Sequence, residues 1–189
     1  MSMVSSPRIT IVGILCIALA VTAQSQITNV CDGNLVANGG FESGPYGGGW
    51  TEYSINGVSP ICSISVCGQG NGTGPYEGDY WAWFGGWYEE ELGQVYQDVV
   101  IPDGNTTALE FYLEIPSANK AGYLQVGIDS TVLFEVTDLD ASSYPVYGQV
   151  ILDLSAFADG TSHQVWFEGY SEYSATMITS FFVDGICLL

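Results

Sequence analysis

GDYWAWFGGWYEEELGQVYQDVVIPDG, residues 78–104, decides how the chain is read. It opens on Tyr80-Trp81-Ala82-Trp83-Phe84, an aromatic run with a period of two. Successive side chains of a strand point to opposite faces of a sheet, so Tyr80, Ala82 and Phe84 share one face and Trp81 and Trp83 the other. A half-solvated strand rarely carries aromatics on both faces. Either both faces are covered, or one presents two indoles to a partner.

Downstream the same alternation recurs between turn signals. Val95 to Ile101 ends in Pro102-Asp103-Gly104. Leu109, Phe111, Leu113 and Ile115 alternate with Glu110, Tyr112 and Glu114, and Leu124, Val126 and Ile128 with Tyr123 and Gln125. Asp129-Ser130 reads as a hairpin turn before Thr131 to Thr137. Val150 to Leu154 and His163 to Tyr170 flank a second turn; in the latter strand Val165 and Phe167 face one way and Gln164, Trp166, Glu168 and Tyr170 the other. Ile178 to Leu188 closes the chain. Upstream, Asn34 to Glu42 opens the domain, and residues 43–78, rich in Gly, Pro, Ser and Asn, read as a long loop with a strand near Trp50 to Tyr53. Helical periodicity is absent after the first two dozen residues. About nine short strands at this spacing predict an all-β chain, a two-sheet antiparallel β-sandwich of the jelly-roll kind.

Residues 1–23 read as a secretory signal peptide. One positive charge in Met1 to Arg8 precedes an apolar run from Ile9 to Val21 and a small-residue cleavage site at Val21-Thr22-Ala23. The expected product, residues 24–189, is a single secreted domain. Once Arg8 leaves with the signal, Lys120 is the only Lys or Arg against 21 carboxylates. Such a surface repels nucleic acid and anionic lipid, invites divalent cations, and offers no membrane-inserting segment. Four cysteines remain, Cys31, Cys62, Cys67 and Cys187, with three possible pairings. The favoured one joins Cys31 to Cys187, tying the first ordered segment to the last strand, and Cys62 to Cys67, closing a small loop. Asn71 and Asn105 head glycosylation sequons.

Several motifs, taken in order, resemble a known fold family. NLVANGGFESG with Gly49-Trp50, then GDYWAWFGG, then Gln97-x-Val99-x-Ile101-Pro102-x-Gly104, and finally Ser180 to Ile186 are similar to galactose-binding-like jelly rolls. That fold serves many carbohydrate-binding modules and the MAM-like domains of secreted bacterial proteins such as immune inhibitor A. The resemblance implies a structural calcium held by the acid after the Asn-Gly-x-Phe pattern and by an Asp of the last strand. In this chain those residues are Glu42 and Asp184, with main-chain carbonyls and Asp79 completing the shell. Gly185 stands where a second Asp often occurs. The alternative is that these carboxylates accept hydrogen bonds from turn amides.

Parity places Trp81, Trp83, Tyr112, Tyr123, Trp166 and Tyr170 off the core, interleaved with Glu110, Glu114, Gln125 and Glu168. Flat rings suit the C–H faces of sugars, and carboxylates and amides suit their hydroxyls. The set is therefore a candidate glycan-binding face, centred on Trp81, Trp83, Tyr112, Tyr123, Trp166, Glu168 and Tyr170. Two alternatives stand beside it: the 43–78 loop covers these rings as a second core, or the face is an adhesive protein surface through which copies self-associate. Catalysis is not expected. His163 is the only histidine, and no nucleophile elbow, phosphate loop or zinc motif occurs.

Overall fold

The computed structural model describes residues 31–189 apart from Asn105. The signal-peptide reading, the start of the mature domain and the Asn105 sequon therefore lie outside the described residues. The elements run β1 (Thr51–Ser54), β2 (Ile61–Ser63), α1 (Ile64–Cys67), β3 (Tyr80–Gly85), β4 (Glu91–Val100), β5 (Ala108–Ala118), β6 (Gly122–Ile128), β7 (Thr131–Thr137), β8 (Gly148–Asp153), β9 (Ser162–Ser171) and β10 (Thr179–Leu188), with short 3-10 turns at Asp138–Asp140 and Ser155–Phe157. The fold is all-β, with two five-stranded sheets. The front sheet has the order β1-β4-β9-β6-β7 and the back sheet β2-β3-β10-β5-β8. Every neighbouring pair is antiparallel, so the sheets stack as the expected jelly-roll sandwich.

The inward positions match the alternation read from sequence. Phe84, Phe111, Leu113, Leu124, Val126, Val165 and Phe167 fill the space between the sheets, and Phe111 meets Phe167 edge-on at 5.2 Å between ring centres. Apolar rings removed from water on both inner faces supply the driving force for stacking the sheets.

The opening segment has no strand, yet it is fastened at every turn. Asn34 donates to the Ile186 carbonyl at 2.8 Å and accepts from the Leu188 amide at 2.9 Å. Gln97 holds both main-chain groups of Ala37, and the Trp50 indole donates to the Asn38 carbonyl. Both favoured disulfides are present, Cys31–Cys187 and Cys62–Cys67.

Residues 64–79 lie over the outside of the back sheet. Gly70 and Gly72 permit the close approach: a Cβ on Gly70 would stand 2.7 Å from Phe182, and one on Gly72 2.7 Å from Phe182, Pro116 and Glu114. Thr73 donates to the buried Glu114 carboxylate through its hydroxyl and its amide, and Tyr147 donates to the Gly74 carbonyl at 2.8 Å. The long loop is thus a tethered cover.

Candidate functional site

The off-core residues divide between two outer faces, which corrects the single face expected from parity. Trp81, Trp83 and Tyr112 belong to strands of the back sheet, and Tyr123, Trp166, Glu168 and Tyr170 to strands of the front sheet. Alternation separates core from non-core, but a two-sheet sandwich has two non-core sides.

On the back sheet Trp81 is fully covered, and Trp83 and Tyr112 are half-buried. Trp81 is 0% exposed, Trp83 stacks on it at 6.2 Å, and Phe182 meets them at 5.6 and 5.4 Å. Neither indole N–H has a partner. Tyr112 lies flat against Tyr76 at 3.7 Å. Trp81 cannot stack on a sugar while fully buried against Trp83 and Phe182, and Glu114, 1% exposed, is occupied by Thr73. Here the second-core alternative is what the chain adopts.

On the front sheet the face is open, and its rows can be read from the strand register. Tyr53, Gln94, Glu168, Gln125 and Glu135 line up across β1, β4, β9, β6 and β7. Leu92, Tyr170 and Tyr123 form the row on one side, and Tyr96 and Trp166 the row on the other. A polar stripe thus runs between two aromatic ones. Tyr123 donates to Glu168 at 3.1 Å, Gln94 to the other Glu168 oxygen at 3.5 Å, and Gln125 to Glu135 at 2.5 Å. Tyr123 and Tyr170 stack at 5.5 Å with 26° between planes, and Tyr170 donates to Glu90 at 3.0 Å. Gly127 stands opposite Trp166 and leaves room for its ring, with which a Cβ there would collide. The indole N–H donates to the Asp129 carbonyl at 2.9 Å.

These bonds fix the rings at their edges. Burial, with Glu168 second, pushes the Tyr123 phenol up to about 12, and the bond to Glu90 raises Tyr170. Both phenols therefore stay protonated donors across the working pH range. The face offers half-exposed rings for apolar contact, carboxylate lone pairs as acceptors and amides that both donate and accept. Tyr53, Gln94, Tyr96 and Glu135 had not been singled out from sequence. For Gln94 and Tyr96 the signal is the alternation of β4, which starts at Glu91, four residues before the start read from sequence.

A second opening lies at the β2–β3 edge. A groove of about 490 Å³ runs between Val58, Pro60, Ile61, Val66, Trp83, Trp87 and the Cys62–Cys67 bridge. None of its lining residues is charged, and Val66 and Trp87 are 82% and 46% exposed. Lys120 fixes the rim, donating to the carbonyls of Trp87 at 2.8 Å and Glu89 at 3.2 Å. Glu91 is buried at the start of β4 and takes a bond from Asn56.

Two of the expected calcium ligands, Glu42 and Asp184, are each engaged by main-chain amides. Glu42 accepts from the amides of Asp79 and Tyr80, so Asp79 meets it through its main chain. Asp184, 0% exposed, accepts from the amides of Tyr76, Glu77 and Gly185. Burial pushes Asp184 up to about 8 against those three donors. Among the described residues no group of three or more His, Cys, Asp or Glu side chains gathers to hold a metal. A Cβ on Gly40 would nevertheless stand 3.5 Å from Glu77 Oε1 and 3.9 Å from Asp184 Oδ1, so these two carboxylates border one small space.

Comparison with solved structures finds a similar fold in carbohydrate-binding modules and in an adhesin domain. The module TmCBM61, solved in complex with beta-1,4-galactotriose, is 15% identical, with a TM-score of 0.61 over 84% of this chain and 99% of that one. A structure of carbohydrate-binding modules of the β-sandwich superfamily, described for promiscuous specificity, is 18% identical, with a TM-score of 0.50 over 81% of this chain and 61% of its own. The K1 cleaved adhesin domain of Lys-gingipain from Porphyromonas gingivalis W83 is 15% identical, with a TM-score of 0.50 over 79% and 95%. No protein-family profile and no curated protein matches the chain. Identities this low show a shared β-sandwich fold. Among the described residues no helix is long and apolar enough to cross a membrane.

Proposed function

We propose that the chain is an exported, non-catalytic carbohydrate-binding module that lays a glycan across the front sheet. The observation that carries this reading is the open face, with the Gln94–Glu168–Gln125 stripe between Tyr123 and Tyr170 on one side and Tyr96 and Trp166 on the other. The fold it shares with modules that bind glycans supports it. A face spanning five strands has room for a chain, and its acids favour hydroxyl-rich, uncharged sugars over uronates. The test is a glycan array on the purified protein, followed by titration with the best polysaccharide. Tyr123→Ala and Trp166→Ala are each expected to weaken binding about tenfold, roughly 1.4 kcal/mol. Undiminished binding in both variants would overturn the reading, as would an array with no response.

The uncharged groove beside Trp87 favours a second reading, an extracellular adhesive subunit that self-associates. It requires a solution mass above that of one chain, and a strict monomer removes it.

Calcium belongs to the same proposal. Asp184 is a buried carboxylate with no cation facing it, and the fit improves if Glu77 takes the place expected of Asp79, with main-chain carbonyls near Gly40 joining them. The ion would supply the positive charge that this acidic chain lacks and would fasten the opening segment to β10. The sign of the pH effect follows from the raised carboxyl. Without the ion, Asp184 contributes most stability below its ordinary 3.8, and this is lost as pH rises through about 8. A bound cation favours the ionised form, so the calcium-dependent increment grows with pH. At pH 8, saturating calcium is expected to raise Tm by about 5 °C or more over a chelator, and less at pH 5. Equal Tm values in calcium and chelator at pH 8 would remove the ion.

A further inference from the structure

The Asp129–Ser130 turn between β6 and β7 supports one edge of the front face, and a histidine holds that turn. His163, the only histidine in the chain, has a side chain 10% exposed. Its Nδ1 lies 2.7 Å from Asp129 Oδ2 and its Nε2 3.1 Å from Asp159 Oδ1. Ionised carboxylates only accept, so both contacts are hydrogen bonds only when both ring nitrogens carry a proton. The other groups around the ring are neutral. Thr161 Oγ1 stands 3.3 Å from Nε2, Phe157 packs edge-on at 5.7 Å, and β4 places Val99 opposite. The neighbouring acid of β4, Asp98, is bonded to Gln164.

Asp129 serves three contacts at once. Its carboxylate takes the His163 ring and the Gln164 amide at 2.9 Å, and its carbonyl takes the Trp166 indole N–H at 2.9 Å. It does so at φ +50°, a left-handed conformation that a non-glycine residue keeps only when its contacts hold it. A direct line of contacts therefore joins the imidazole to an aromatic residue of the binding face.

We propose that the proton on His163 sets how Trp166 is presented, so that glycan binding at the front face, which rests on the function proposed above, is strongest in mildly acidic solution and weakens above neutrality. When the proton leaves, one ring nitrogen turns a lone pair toward a carboxylate. The Thr161 hydroxyl, which otherwise donates to Asp159 at 2.7 Å, can turn to Nε2, and the Asp159 arm lets go. Asp129 loses its charged partner, the turn relaxes, and the Trp166 tether relaxes with it. The bond to Asp129 first, with Asp159 helping and burial opposing, raises the His163 pKa above its ordinary 6.5. The contribution is thus complete below pH 6.5 and is lost as pH rises through the raised value.

The test follows the His163 ring protons and the indole N–H signals of the purified protein by NMR from pH 5 to 9, without glycan. The Trp166 signal is expected to move with the midpoint of His163, and to lose that midpoint in His163→Gln. Asp159→Asn, which keeps the ring, is expected to lower the midpoint. A Trp166 signal that stays flat while His163 titrates overturns the proposal, whatever the protein binds. Affinity for the polysaccharide found by the array is expected to fall about threefold or more from pH 6 to 9, and not in His163→Gln. Asp184, on the opposite sheet, changes charge in an overlapping range, and the variant separates the two. If no polysaccharide binds, the functional reading fails while the NMR result still decides the coupling.

Discussion

Replacing Trp81 with alanine is expected to lower the unfolding free energy by about 3–5 kcal/mol and to leave glycan affinity unchanged. Trp81 is fully buried, stacked on Trp83 and against Phe182, and the cover packs on Phe182 and Trp83 through Gly70 and on Phe182 through Gly72. Removing the indole opens a cavity that the tethered cover cannot close, because Thr73 and Gly74 are held by Glu114 and Tyr147. The indole N–H has no partner, so the loss is one of packing, and Trp81→Phe should recover much of it. Urea midpoints measure the first effect and titration the second. A variant that keeps its stability and loses its ligand would place the binding site on the back sheet.

The second large effect is expected from the disulfides, and it is unequal. Cys31–Cys187 closes 156 residues of chain and Cys62–Cys67 closes five. Constraint of the unfolded chain grows with the logarithm of loop length, so replacing the first pair with serine should cost about 4–5 kcal/mol and the second about 2 kcal/mol. The folded segment around Cys31 keeps other fastenings, among them Asn34 to β10 and the Leu35 amide to the Leu188 carbonyl at 3.0 Å. The long-loop variant should therefore fold to the same structure with a lower melting point. Equal costs, or the reverse order, would contradict this view.

Much of the sandwich was legible because strand period and core burial coincide. Leu109, Phe111 and Leu113, or Val165 and Phe167, alternate so regularly that inward positions follow from counting. The division of the outer residues did not follow, because which sheet a strand joins is decided by long-range pairing. β3 pairs with β10 and β9 with β4 and β6, and nothing local to Trp81 or Trp166 announces that they end on opposite sides. β10 hid its faces further. It is buried along most of its length, and register shifts between Ser180 and Phe182 and between Asp184 and Cys187 break its alternation. The cover depends on glycines whose role appears only once Phe182 and Pro116 lie beneath them. The calcium ligands were placed by resemblance, and the amides that claim Glu42 and Asp184 come from residues 76–80, a stretch with no periodic signal.

The position of the binding surface is tested most directly by the five indole N–H signals during titration with a bound oligosaccharide. The Trp166 signal is expected to shift on saturation, while those of Trp81 and Trp83 stay in place. Movement of Trp81 and Trp83 with Trp166 unmoved would contradict the account.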